Sequence, residues 1–242
     1  ARGLDALVSV KTQQRVTIDE GVARTQTRLD YEISRAELSE LTVRLPVDQR
    51  VVNVVDANVR QWNVETEGDW QQIKIGLFQP ARSAQTITIE SEQFSDQAAE
   101  AVVSVPVVKA SDAGRQPGVV VVRLADGLRA EVVRRAALSQ LDASEIPGRL
   151  AAASHAYSYR YASLPFELSL RVEKIQPRLQ VDQLVEVFLQ PERITAHLVA
   201  QYDIQRAGLF ELQLNIPSGY EVRHVRGHTP PGGQPAVVDS YV

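Results

Sequence analysis

An alternating row of tyrosines is the first feature of this sequence that could bind a ligand. Single residues separate Tyr157, Tyr159 and Tyr161, so in a β-strand the three rings share one face. Exposed rings would stack on sugars, whereas inward rings would be core with their hydroxyls at the rim. We favour the core interpretation, because large aromatic side chains usually supply buried area.

A short acidic segment carries three carboxylates and two flanking tryptophans. Glu65, Glu67 and Asp69 offer the oxygen ligands that calcium prefers, although the EF-hand ligand order is missing. A polar hairpin turn between two strands is the interpretation we favour. Trp62 and Trp70 predict either a small ligand-binding aromatic patch beside this turn or a cross-strand packing pair.

The histidines and serines do not predict a catalytic site. His224 and His228 are four residues apart, but the pattern around them is strand and loop, so a metal would need acidic ligands from elsewhere. Ser154 and His155 are adjacent, so in a strand they point to opposite faces. The sequence also lacks a Gly-x-Ser-x-Gly turn and a glycine-rich phosphate loop. We therefore predict no catalytic residue, no cofactor and no enzymatic activity.

Composition excludes several classes of protein. The 242 residues include 26 Lys and Arg against 30 Asp and Glu, and this acidic excess argues against a nucleic-acid partner. Cysteine is absent, which excludes disulfides, thiolate nucleophiles and cysteine-based metal sites. No apolar run approaches the roughly 20 residues of a membrane helix. We expect a globular chain with no membrane span.

Apolar residues at every second position predict that most of the chain is β-strand. Leu41, Val43 and Leu45 show this alternation, and turn-forming residues separate such runs. Residues 4–92 predict about seven antiparallel strands. Residues 134–153 predict a helical stretch, most simply two short turns because Pro147 and Gly148 interrupt it. The predicted fold is all-β, with two to three antiparallel β-sandwich-like modules and a short helical insertion.

The sequence contains an internal repeat at an offset of 171 residues. Residues 31–46, YEISRAELSELTVRLP, align without gaps on residues 202–217, YDIQRAGLFELQLNIP, and eight of the sixteen positions are identical. The predicted modules are a β-sandwich with the first repeat copy at 1–96, a β-rich module with the helical segment at 97–173, and a truncated second copy at 174–242. This arrangement suggests a window of about 1.4 repeat periods from a longer repetitive protein.

The repeated motif, Tyr-acidic-Ile-x-Arg-Ala-x-Leu-x-Glu-Leu followed by an alternating strand and Pro, resembles segments of large β-rich repeat-containing secreted or envelope proteins of bacteria. The resemblance implies an architecture and an extracytoplasmic location (secreted, periplasmic or cell surface), and it assigns no activity to any residue.

Repetition multiplies length and surface rather than chemistry. We therefore expect a non-catalytic structural or interaction region of a larger extracytoplasmic repeat protein. Its expected partners are neighbouring repeats of the same polypeptide or envelope proteins. The alternative is a carbohydrate-binding accessory module of a polysaccharide-acting enzyme, with a glycan held by Tyr157, Tyr159, Tyr161, Trp62 and Trp70.

Overall fold

A computed structural model shows a chain that is nearly all β-strand, as the alternation predicted. The structure describes residues 7–94, 100–151, 156–175, 178–205 and 211–227. Within these ranges no helix has the length and apolar character needed to cross a membrane. The chain divides into two units, Ala1–Gly208 and Leu209–Val242.

Residues 7–94, the first described range, contain seven strands, which agrees with the number predicted for this part of the chain. They are β1 (Leu7–Asp19), β2 (Val22–Ser34), β3 (Leu38–Pro46), β4 (Arg50–Val55), β5 (Val59–Glu67), β6 (Trp70–Ala81) and β7 (Ala84–Phe94). Gly21 and Gly68 adopt positive φ angles of 76° and 60° in the tight turns after β1 and β5. Every pairing among these seven strands is antiparallel.

Ten further strands follow in the described residues between 100 and 205. They are β8 (Glu100–Ser104), β9 (Lys109–Ala110), β10 (Ala113–Arg115), β11 (Gly118–Leu124), β12 (Leu128–Ala136), β13 (Ser139–Gln140), β14 (Tyr157–Tyr161), β15 (Glu167–Lys174), β16 (Arg178–Gln190) and β17 (Arg193–Gln205).

Within the predicted helical stretch at 134–153 the two short turns are confirmed, but the stretch begins in a strand. Residues 134–136 finish β12, and the described part of the stretch contains a three-residue 3-10 turn at Ala143–Glu145 and a second turn at 148–150. Ile146 and Leu150 are buried against Val121, on the face of β11 that points away from the main cores. The apolar spacing that suggested a helix therefore belongs to a loop packed on a sheet.

The strands form three sheets and one separate hairpin. Sheet A has the order β13-β14-β11-β1-β2-β7-β4 with β10 also on β1, sheet B has the order β5-β6-β3-β9, and sheet C has the order β12-β15-β8. Strands β16 and β17 form the separate hairpin. In sheet A, β1 and β11 run parallel over Thr12–Ile18, which departs from the purely antiparallel prediction. Sheet A thus contains strands from both predicted modules, 1–96 and 97–173.

The hairpin of β1 and β2, here called the first-repeat hairpin (Leu7–Ser34), contributes to two hydrophobic cores. One end of its inner face packs with sheet B, where Val10 and Tyr31 meet Leu41 and Ile75. The other end packs with sheet C in a cluster that contains Val16. Because successive inward residues of a long strand lie about 7 Å apart, one hairpin can span two sandwiches.

Between these cores the inner face is polar, and its buried amides find hydrogen-bond partners, whereas the buried hydroxyl oxygens of Thr25 and Thr27 have none among the described residues. The Gln116 side chain donates to Thr12 Oγ1 at 3.0 Å and to the Val108 carbonyl at 2.8 Å, and it accepts from the Ala110 amide at 2.9 Å. Gln14 donates to a backbone carbonyl at 2.9 Å. Buried amides of this kind are tolerated because each finds partners.

Candidate functional site

The tyrosine row lies in the second core, as the favoured interpretation predicted. Tyr159 and Tyr161 are only 4% and 2% exposed. The Tyr161 ring centroid lies 4.8 Å from that of Phe166, and burial raises the pKa of Tyr161 to about 12. Tyr157 is half-buried, and its hydroxyl donates to the Ala130 carbonyl at 2.7 Å. Tyr159 and Tyr161 therefore present no exposed ring face to a sugar.

The two tryptophans lie on opposite faces of sheet B. Trp62 is paired with Ile75, whose side chain points into the first core, and Trp62 packs against that core. Trp70 is paired with Glu67 on the other face and is 38% exposed. The structure therefore does not bring Trp62 and Trp70 together in one aromatic patch, and the predicted cross-strand packing pair is absent as well.

The acidic turn is a hairpin turn whose glutamates already have cationic partners. Lys74 donates to Glu65 at 2.7 Å, and this hydrogen bond holds the pKa of Glu65 below its usual value. Glu67 pairs with Arg44. Among the described residues, no group of three or more acidic or histidine side chains is placed to hold a metal ion.

Calcium is expected to leave the thermal stability of the chain unchanged. Binding at Glu65, Glu67 and Asp69 would require the ion to displace the two cationic side chains. A site occupied at 100 times its dissociation constant would add about 2.7 kcal/mol, which a melting curve resolves easily. Melting with calcium, with magnesium and with a chelator measures this. A rise in Tm that calcium alone produces, and that Asp69→Asn abolishes, would contradict this expectation and establish a calcium site at the turn.

Within the part of the chain that the structure describes, the remaining histidine and serine candidates form no catalytic or metal site. Ser154, His155 and His228 lie outside the described residues. His224 belongs to the second unit, where residues 211–227 contain neither strand nor helix and are exposed. His197 is on β17, 3.8 Å from Glu186 on the neighbouring strand.

The internal repeat extends across a whole hairpin. Moving the bounds of β1 and β2 by 171 residues gives the bounds of β16 and β17. The pairing register is also shared, since Val10 opposite Tyr31 becomes Val181 opposite Tyr202. We call β16 and β17 together the second-repeat hairpin (Arg178–Gln205).

The inner faces of the two hairpins differ completely in exposure. On the first-repeat hairpin, no inner-face side chain is more than 5% exposed. On the second-repeat hairpin, eight large apolar side chains at equivalent inner positions are between 40% and 77% exposed. They are Leu179, Val181, Val185, Val187, Leu189, Ile194, Leu198 and Ile204.

The exposed inner face is also more apolar than the buried one. Four central positions, occupied in the first repeat by Thr12, Gln14, Thr25 and Thr27, are occupied in the second by Gln183, Val185, Ala196 and Leu198. The opposite face has polar or charged side chains at eleven of fourteen positions, with His197 and Glu186 at its centre, and its exposed apolar side chains are Leu184, Phe188 and Val199. A contiguous apolar face of this size commonly marks an interaction site.

Both edges of the second-repeat hairpin are free within the described part of the chain. Among the described strands, β16 and β17 pair only with each other, whereas β1 also pairs with β10 and β11, and β2 with β7. A lone two-stranded hairpin is marginally stable, and unpaired edges offer backbone hydrogen bonds to another strand. The second-repeat hairpin is therefore the candidate functional site.

Comparison with known proteins places the chain in no family. No family model and no curated protein matches it. Among solved structures, it is similar to an M1 zinc metallopeptidase from Deinococcus radiodurans, with a TM-score of 0.40, 14% identity and coverage of 88% of this chain and 50% of that one. A mutant of an M1 zinc metallopeptidase from the same organism, bound to a Tyr-Ser-Ala substrate, also has a TM-score of 0.40, at 13% identity. This chain spans about half the length of those solved chains.

Proposed function

We propose that this chain is a non-catalytic interaction region of a larger extracytoplasmic repeat protein, and that the second-repeat hairpin is its docking surface. One observation carries the proposal. The inner face of this hairpin shares bounds and register with a fully buried face in the same molecule, is more apolar than that face, and is exposed. The extracytoplasmic location rests on the sequence resemblance alone.

The free energy available at this face is large enough to drive association. Complete burial of a Val, Leu or Ile side chain contributes about 1.5–3 kcal/mol. Because the eight side chains are already partly covered, burying what remains exposed would contribute on the order of 10 kcal/mol. Lost rigid-body motion and side-chain ordering offset much of this. The remainder is sufficient for a specific partner.

The docking proposal is tested by giving the second-repeat hairpin the polar residues of the first. Val185→Gln with Leu198→Thr reproduces Gln14 and Thr27 at the equivalent positions. We expect the double variant to bind a hydrophobic dye such as anilinonaphthalene sulfonate at least threefold less than the original chain. The measurement is dye fluorescence against protein concentration, with circular dichroism to establish equal β content.

The matched control is Val52→Thr on β4, an exposed apolar side chain on another edge strand. It is expected to change dye binding little, because it is separate from the proposed surface. Equal dye binding by the original chain and the double variant would remove the second-repeat hairpin as the docking surface.

A further inference from the structure

The first-repeat hairpin shows which kind of strand the second-repeat hairpin is shaped to receive, and this step rests on the proposed docking function. Strand β7 pairs with β2 in antiparallel register from Val22 opposite Phe94 to Glu32 opposite Ala84, eleven residue pairs in all. The other edge, β1, receives β11 in parallel over only seven pairs. Parallel pairs are slightly less stable per residue, so the β2-type edge is the stronger acceptor.

The inner face of β17 fits an alternating apolar strand. In the first repeat, Ile87 and Ile89 of β7 lie opposite Leu29 and Thr27 and are fully buried. At the same register on β17, the two isoleucines would lie opposite Ala200 and Leu198. The pair of Ile89 with Leu198 is apolar on both sides, whereas the pair with Thr27 is mixed. Ala200 is smaller than Leu29, so the second repeat keeps an apolar residue opposite both isoleucines but with less contact at Ile87.

The outer face of β17 adds a preference for charge. In the first repeat, Glu92 accepts from Arg24 at 3.2 Å and Glu90 accepts from Gln26 at 3.2 Å. Position 26 corresponds to His197 on β17. A carboxylate at the position of Glu90 would therefore lie opposite the His197 imidazole, whose ring N–H can donate a hydrogen bond to it.

We infer that β17, whose outer edge pairs with no strand among the described residues, accepts an extended segment of another polypeptide as an added antiparallel strand. The segment is about eleven residues long, has isoleucine, valine or leucine at alternate inward positions, and carries a carboxylate opposite His197. Backbone hydrogen bonds along β17 supply affinity, and the inward side chains supply selectivity. The added strand turns the two-stranded hairpin into a three-stranded sheet.

A synthetic peptide with the sequence of Ala84–Phe94, AQTITIESEQF, tests this inference on the full chain. Hydrogen exchange followed by mass spectrometry locates where the peptide protects the protein. We expect exchange in Arg193–Gln205 to slow at least tenfold at saturating peptide. The matched peptide replaces the residues equivalent to Ile87 and Ile89 with serine, which keeps length and charge, and is expected to bind at least tenfold more weakly.

Protein variants establish that the binding is local. Leu198→Asp is expected to weaken peptide binding at least tenfold, and Val52→Asp on β4 is expected to leave it unchanged. Protection of β2 or β4 instead of β17 would mean that the peptide displaces β7, and this would overturn the inference. If the Val185 and Leu198 changes lower dye binding but the peptide does not bind, strand addition is overturned and the docking proposal stands. If the peptide does not bind and the Val185 and Leu198 changes leave dye binding unaltered, both strand addition and the docking proposal are overturned.

Discussion

Gly118→Ala is expected to destabilise the chain by at least about 3 kcal/mol, the upper part of the range for overpacked cores. Gly118 begins β11 and lies against β1 and β14, where two cores meet. A methyl group there would lie 2.5 Å from Cζ of Tyr161 and 2.8 Å from the Thr12 carbonyl oxygen. The Tyr161 ring is packed against Phe166, and Thr12 belongs to a central strand, so neither can move without disturbing the sheet.

The measurement is urea unfolding monitored by circular dichroism, with Gly148→Ala as the matched control. A methyl group at Gly148 would meet no atom within 4 Å. The control is therefore expected to change the free energy of unfolding by no more than about 0.5 kcal/mol, as surface substitutions usually do. Equal stability of the two variants would contradict the close approach of β11 to β1 and, with it, the parallel pairing in sheet A.

That parallel pairing could not be predicted from the sequence. Alternation of apolar residues indicates which side chains of a strand point inward, and it located the strand that contains Leu41, Val43 and Leu45 correctly. It carries no information on which distant strand lies alongside or in which direction. The pairing of β1 with β11 links residues more than 100 positions apart through a loop held by Gln116.

For the candidate site residues, too, the sequence spacing predicted which side chains share a face of a strand but not what covers that face. The shared face of the tyrosines followed from their spacing, but whether that face was core or surface depended on sheet C. Trp62 and Trp70 lie on opposite faces because Glu67 pairs with Trp70, and this register is fixed by the turn length rather than by proximity in sequence. The repeat was visible as residues 31–46 and 202–217, but the exposure of the second copy depends on which strands lie beside it, and among the described residues β16 and β17 pair with each other alone.

The two hairpins make a comparison in which strand length and register are held constant. We expect backbone amides of the second-repeat hairpin to exchange at least about 100-fold faster than those at equivalent positions of the first-repeat hairpin. Interior strands of a packed sheet exchange only through openings that approach global unfolding, about 5–15 kcal/mol, whereas a hairpin with free edges opens locally at much lower cost. Each residue in Leu7–Ser34 has its counterpart 171 positions later.

Hydrogen exchange with mass spectrometry on the full chain measures this ratio position by position, after correction for intrinsic rates. Equal protection of the two hairpins would mean that the second is already covered in the isolated chain, and the docking surface would then be lost. If the difference in exchange rate disappears when the Ala84–Phe94 peptide is added, the local instability of the second-repeat hairpin results from the lack of a strand beside β17. In the first repeat, Ala84–Phe94 itself lies at the equivalent position beside β2. The exposed face of the second-repeat hairpin would then be an interface without its partner strand, and the first-repeat hairpin shows the equivalent interface with that strand bound.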